Sequence, residues 1–398
     1  MSVTYPRGFL AAAVAAGLKP SGRLDLGLLV AEPGASMAGL FTTNHLAAAP
    51  VIVGRARLAS GAPRAVLVNS GQANAATGDR GLDDAEAAAA AVAARLGLEP
   101  ADVVPSSTGV IGEPLHMAEL LGAVPGLAHA LSPDGGADFA RAIRTTDTVD
   151  KQATADAGDV RVGGCAKGVG MISPNLATML AFVTTDAPVA AADLRRLATE
   201  QLATRFQALT VDACTSTNDT VLLVASGAIG GDPVVPGTPA WDALSGAVAS
   251  VGESLLRQLA ADAEGVTHVL LVEVRGAASE AEARIAAKAV ADSPLVKTAA
   301  FGGDPNPGRI LQAVGAAGVA VDPGRVDVQI GEVTVATGGV IPPAYFDETG
   351  GLHAAACAAM KEPEIAITVS LGAGTACSRA VGCDLSYDYV RINGEYTT

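Results

Sequence analysis

The chain is 398 residues long, more than one compact core usually holds, so two or three cores or lobes are expected. Hydrophobic residues make up 49% and charged residues 17%, which excludes a disordered chain because apolar side chain is ample to offset the entropy of ordering. The net charge of −15 has the wrong sign for a nucleic-acid partner, and five cysteines without a C-x-x-C pair argue for reduced thiols in a cytoplasm rather than a disulfide framework.

Taken from the start, Phe9 to Leu18 is an Ala-rich stretch after Arg7 that lacks the leucine density of a signal peptide and runs into Lys19-Pro20. No run of about 18 apolar residues follows, so no bilayer span is expected. Short apolar runs bounded by Gly, Pro, Asn and Ser predict strands at 26–31, 39–42, 48–54, 65–69, 103–106, 178–184, 220–225, 267–274, 326–330, 365–371 and 383–392. Helices are predicted at 84–96, 190–204, 241–261, 280–291 and 308–314; the first has an acidic first turn and Gly97 as its stop. Several strands follow one another without a helix between them. That pattern predicts an α+β fold, a layered sandwich of β-sheets with helices packed on the faces, rather than a doubly wound parallel sheet.

Familiar motifs are missing. The five histidines (His45, His116, His129, His268, His353) form no H-E-x-x-H and no i, i+4 pair, so neither a metal site nor a His-based triad has local support. GGCAKGVG at 163–170 lacks the register of a phosphate loop and reads as a glycine turn before a strand, and there is no G-x-S-x-G elbow. What remains is a set of polar, glycine-flanked clusters: NSGQANA at 69–75, SSTGVIG at 106–112, TTDT at 145–148, TSTNDT at 215–220 and NGEYTT at 393–398. One at a time, each is the composition of a turn or a helix cap.

Together, and with KGVGMISPNLATML at 167–180, LVKTA at 295–299, DPNPGRI at 304–310 and CDLSYDYVRIN at 383–393, these clusters resemble the ornithine acetyltransferase family, the self-cleaving glutamate N-acetyltransferases of arginine biosynthesis. The resemblance runs from YPRGF near the start to the last residue. It implies a cut between Ala177 and Thr178, giving pieces 1–177 and 178–398 that share one folded unit and assemble as α2β2. Thr178 is then the nucleophile, and the Thr108 hydroxyl with the Gly109 amide forms the oxyanion hole. Thr145, Lys167, Thr178, Glu264, Asn393 and Thr398 bind substrate, and neither a cofactor nor a metal is implied. The implied reaction is ping-pong: acetyl passes from N2-acetyl-L-ornithine to Thr178 and then to L-glutamate, with acetyl-CoA as a second donor in the bifunctional variant.

The residue types suit that chemistry. A threonine hydroxyl is a weak nucleophile, but the α-amine freed by the cut has an ordinary pKa of about 7.7 to 8.0 and serves as its base without a histidine. Lys167 suits a substrate carboxylate and Glu264 a substrate ammonium. The chain departs from the family pattern at Gln72 (usually Asn), Asp150 (usually Pro), Ala213-Cys214 (usually Gly and an acid) and Pro307 (usually Trp). Two other readings stay open at this point: an N-terminal-threonine amidohydrolase or aminopeptidase, and a paralogue that acts on a related N-acyl amino acid or only binds one.

Overall fold

The computed structural model describes residues 2–173, 179–347 and 351–395. In chain order the elements are β1 (Phe9–Val14), β2 (Leu26–Ala31), β3 (Ser36–Phe41), α1 (Ala49–Ser60), β4 (Ala65–Gln72), α2 (Gly78–Leu96), β5 (Val103–Val110), α3 (Met117–His129), α4 (Gly136–Ala142), β6 (Lys151–Ala157), β7 (Val160–Lys167) and β8 (Leu180–Thr185). There follow α5 (Ala191–Leu197), which continues through a π-helical segment into α6 (Thr204–Phe206), then β9 (Thr220–Ala225), α7 (Pro239–Ala261), β10 (Val269–Ala277), α8 (Glu280–Asp292), α9 (Pro294–Gly302) and α10 (Pro307–Gly315). The last are β11 (Asp327–Ile330), β12 (Val333–Ala336), α11 (Gly351–Ala359), β13 (Glu364–Ser370), β14 (Ala376–Cys383) and α12 (Tyr387–Glu395). The described residues fall into two units: those up to 207 with 215–259, and 208–214 with 260–395.

The first unit holds two sheets, β1-β2-β4-β5 and β3-β9-β8-β7-β6. Successive side chains of a strand point to opposite faces, and here both faces are buried. Phe9, Leu29, Val66, Val68 and Val104 share one apolar cluster with Met37, Phe182, Leu222 and Val224 of the other sheet. Leu26, Leu28, Leu67 and Val103 pack instead with Ala88, Val92, Leu120 and Leu127 of α2 and α3. Burial on both sides explains why these strands read as continuous apolar runs rather than alternating ones. The predicted α+β layered sandwich is what the unit shows.

In the second unit a single mixed sheet, β12-β11-β13-β10-β14, is covered by helices whose Ala283, Ala286, Ala287 and Val290 pack on Leu270, Val272, Ile365 and Ile367. Small residues on α8 let the helix lie close to the strands.

Two predicted strands are helices. Residues 48–54 open α1: the run Val51-Ile52-Val53 has strand composition, but Pro50 sits in the first turn of the helix, where its missing N–H costs nothing. Residues 383–392 divide between the end of β14 and α12. The Ser386 hydroxyl there accepts the Tyr389 amide at 3.3 Å, an N-cap contact, and Asp388 lies in the first turn. GGCAKGVG also differs from expectation, since 163–167 belong to β7 itself, paired to β6 and β8.

Candidate active site

The polar clusters converge in the first unit. β4 and β5 run parallel in the register Asn69↔Ser107, Ser70↔Thr108 and Gly71↔Gly109, so NSGQANA and SSTGVIG lie side by side. The two glycines are required by geometry. Gly109 has φ +132°, and a Cβ there would stand 2.2 Å from the Gly71 carbonyl; Gly71 has φ +138° and faces the Leu18 carbonyl. Asn218 of the TSTNDT cluster ties the layer together, its side-chain amide donating to the carbonyls of Ala73 (2.6 Å) and Ser107 (2.8 Å). The Ser107 hydroxyl donates to Asn69 at 2.5 Å, and Gln72 reaches the Leu18 carbonyl at 3.0 Å.

Lys167, at the end of β7 and buried, donates from Nζ to the Thr108 hydroxyl oxygen at 3.1 Å. Because that oxygen accepts from an ammonium, its own proton is directed elsewhere, leaving Thr108 as a donor. Asp147 is the counter-charge. Its carboxylate accepts from Lys151 Nζ (2.7 Å), the Gly168 amide (2.9 Å) and the Thr145 amide (3.1 Å). Burial would raise its pKa, but Lys167 and Lys151 outweigh burial and hold the carboxyl at about 2.

Lys167, Leu180 and Thr220 sit abreast on β7, β8 and β9. The residue entering β8, Met179, is therefore held from one side: its amide donates to Asp219 Oδ1 at 3.1 Å, and its carbonyl accepts from the Thr220 amide at 3.1 Å. Burial pushes the Asp219 carboxyl well above the usual carboxylate range. Among the predicted site residues, Thr108, Gly109, Thr145 and Lys167 are thus brought into one connected layer of the first unit. Glu264 and Asn393 belong to the second unit, where Asn393 Nδ2 donates to Glu264 Oε2 at 2.9 Å. Ala177, Thr178 and Thr398 lie outside the described residues.

Asp147, Asn218 and Asp219 had no individual assignment from sequence. Their signal was an acid or amide among Thr and Ser, directly before an apolar strand for Asn218 and Asp219 and before the polar β6 for Asp147, a pattern shared with ordinary turns. Asp150, a departure from the family pattern, pairs with Arg144 (2.6 Å) and Arg141 (3.3 Å). Pro307 fits its new position at the start of α10, behind the N-cap Asn306. Among the described residues no group of three His, Cys, Asp or Glu is placed to hold a metal, and no helix is long and apolar enough to cross a membrane.

The family model described as "ArgJ family" matches residues 10–398. The chain belongs to the ArgJ family. The arginine biosynthesis bifunctional protein ArgJ of Symbiobacterium thermophilum is 46% identical, the match covering 100% of this chain and 98% of the relative. That of Thermus thermophilus is also 46% identical, with both chains covered in full. A crystal structure of the arginine biosynthesis bifunctional protein argJ from Bacillus halodurans superposes with a TM-score of 0.51 at 39% identity, covering 54% of this chain and 98% of that one. Family membership across the whole length sets the Thr108, Gly109 and Lys167 layer in an enzyme of arginine biosynthesis rather than in a fold analogue.

Proposed function

We propose that this ArgJ-family protein is a glutamate N-acetyltransferase that moves acetyl from N2-acetyl-L-ornithine to L-glutamate through an acetyl ester on Thr178. The observation that carries the reading is the Lys167 ammonium on the Thr108 hydroxyl beside Gly109, which leaves Thr108 free to donate to a developing oxyanion. The chain cuts itself between Ala177 and Thr178: the Thr178 hydroxyl attacks the Ala177 carbonyl, the C–N bond breaks to leave an ester on Thr178 and a free α-amine, water hydrolyses the ester to release the Ala177 carboxylate, and the α-amine then acts as general base. Thr108 and Gly109 form the oxyanion hole. Thr145, Lys167, Glu264, Asn393 and Thr398 contact substrate, with Lys167 suited to a carboxylate and Glu264 to an ammonium. Acetyl-CoA serves as a second donor, in keeping with the word bifunctional in the names of the relatives.

Support for the cut comes from the Bacillus halodurans chain, matched over 98% of its length yet spanning 54% of this one, the share a piece starting at residue 178 would have. The two pieces stay in one folded unit, pair as α2β2 and work in the cytoplasm. The test is a denatured mass spectrum of untagged protein followed by a transfer assay. Fragments beginning at Met1 and Thr178, with glutamate-dependent release of ornithine, are expected; Thr178→Ala should stay a single folded chain without transfer. Acetate released at the same rate without glutamate would favour an amidohydrolase instead. An intact wild-type chain of 39.4 kDa after long incubation would overturn the reading.

A further inference from the structure

The first unit carries a cavity that the acetyl-transfer chemistry does not use. It has a volume of about 230 Å³ and is lined by Lys19, Arg23, Leu24, Arg141 and Arg144. Four cationic side chains thus meet in one pocket of a chain whose net charge is −15. Two of them are already balanced, Arg144 by Asp150 and Arg141 by Asp138 and Asp150. Lys19 and Arg23 are not: among the described residues neither has a carboxylate within ion-pair distance, and Arg23 Nε meets only the Ser21 hydroxyl, at 3.2 Å.

Lys19 forms the floor. It is buried, and its Nζ donates to the carbonyls of Leu24 (3.0 Å) and Arg144 (2.7 Å), so one of the three ammonium N–H groups is left over. The nearby Asp25 carboxylate is engaged by the amides of Ala16, Leu18 and Lys19. Burial, with Arg23 and Lys167 close by, pulls the Lys19 ammonium down to about 8 against the opposing pull of Asp25 and Asp147. Two unpaired cations, one a guanidinium fork and one a point charge, match an anion with several acceptor oxygens and a charge near −2. A phosphoryl group, at −1.5 to −2, has both properties, whereas an amino-acid carboxylate has half the charge. The volume equals roughly eight waters, room for more than one phosphoryl group.

We infer that this pocket binds phosphoryl groups, and that the phosphorylated thioester donor delivers them. The second clause rests on the acetyl-CoA reading above. The link to the chemistry is short. Lys19 holds the carbonyl of Arg144; the next residue, Thr145, has its amide on Asp147, the counter-charge beside Lys167.

The test uses the full processed protein and pyrophosphate, acetyl-CoA and N-acetylornithine as probes. Arg23→Gln removes an exposed side chain for which no ion pair is seen among the described residues, so it should fold normally. Pyrophosphate should bind the wild type in calorimetry, and Arg23→Gln should weaken it by roughly tenfold or more. The same variant should raise KM for acetyl-CoA by a similar factor and leave KM for N-acetylornithine and kcat unchanged. If pyrophosphate binding falls but the acetyl-CoA KM does not, the phosphoryl site stands and its occupant is the free anion. Absence of pyrophosphate binding to the wild type, or equal binding to wild type and Arg23→Gln, overturns the proposal. A protein with no acetyl-CoA-dependent turnover would sink the donor reading alone, because the pyrophosphate titration still decides the pocket.

Discussion

In the second unit the sheet is sealed by side chains of one kind: Leu270, Val272 and Val274 of β10 lie against Ala283, Ala287 and Val290 of α8. In the first unit the ends of β4, β5, β7 and β9 carry buried Asn69, Ser107, Thr108, Lys167 and, just before β9, Asn218 and Asp219. The apolar layer is non-directional, its contacts numerous and each small, so a truncated side chain there costs stability without re-aiming a functional group. The polar layer is directional, because deleting one member leaves its partner buried and unsatisfied, at about 1–3 kcal/mol for a neutral group and more for a charge. Conformational definition at the candidate site is therefore bought with fragility, and substitutions in the two layers should fail differently.

The largest effect is expected at Gly109→Ala. The added methyl meets the Gly71 carbonyl at 2.2 Å in a backbone conformation that side chains rarely adopt, so the β5 strand end must move. Gly109 belongs to the proposed oxyanion hole, and displacing such a donor typically costs about 10²–10³ in kcat. Transfer assays and fragment masses should both show the loss; a variant processed and active within threefold of wild type would detach this close approach from the chemistry.

Lys167→Met comes next, because it strips Asp147 of one of two cations while the carboxylate stays buried. Removing one partner of a buried pair costs about 3–5 kcal/mol, less here because Lys151 remains. The pH dependence follows from the sign of the shift. Asp147 is held at about 2, below its ordinary 3.8, so its contribution is present above 3.8 and disappears as pH falls through 2. Acid denaturation of the variant should begin at higher pH than in the wild type; coincident acid transitions would show that Lys167 does not hold Asp147 charged.

By contrast, Leu270→Ala in the second unit should lower stability by about 2–4 kcal/mol and leave kcat of the folded fraction unchanged. A matching fall in kcat would remove the distinction between the two layers. Asp219 offers a finer comparison. Burial favours its neutral form, and Asp219→Asn keeps an acceptor for the Met179 amide, so processing should proceed near the wild-type rate, whereas Asp219→Ala should cost about 1–3 kcal/mol and slow it. Equal slowing in both variants would mean that a charge, not an acceptor, is needed there.

How much of this was legible in sequence differs by layer too. The apolar runs located most strands correctly, because both-face burial leaves a compositional trace. They failed at 48–54, where β-branched residues are carried in a helix by its packing, and at 383–392, where aromatic alternation concealed the Ser386 cap. Helix α2 begins six residues before the predicted 84 because Gly81, which looks like a breaker, lies over Thr77 and Asn74, where a Cβ would be 2.0 Å from the Thr77 hydroxyl. The site clusters were visible as composition, but the contact from Lys167 to Thr108 spans 59 residues and depends on strand register, which no local pattern encodes. Their assignment to a nucleophile and an oxyanion hole came from family resemblance alone.

The smallest predicted effect separates two uses of positive φ. At Gly71 and Gly109 the conformation comes with a neighbouring backbone where a Cβ would stand, so glycine is needed twice over. Ala213, one of the departures from the family pattern, adopts φ +59° while exposed, with no packing to offset the strain. A left-handed L-residue costs about 1–2 kcal/mol, and the greater freedom of glycine in the unfolded chain takes back about 0.5–1. Ala213→Gly should therefore stabilise the protein by about 0.5–1 kcal/mol, read as a raised denaturant midpoint at constant slope. A lowered midpoint would mean that Ala213 restrains the unfolded chain more than the turn strains it, and that this departure from the family pattern is a stabilising one.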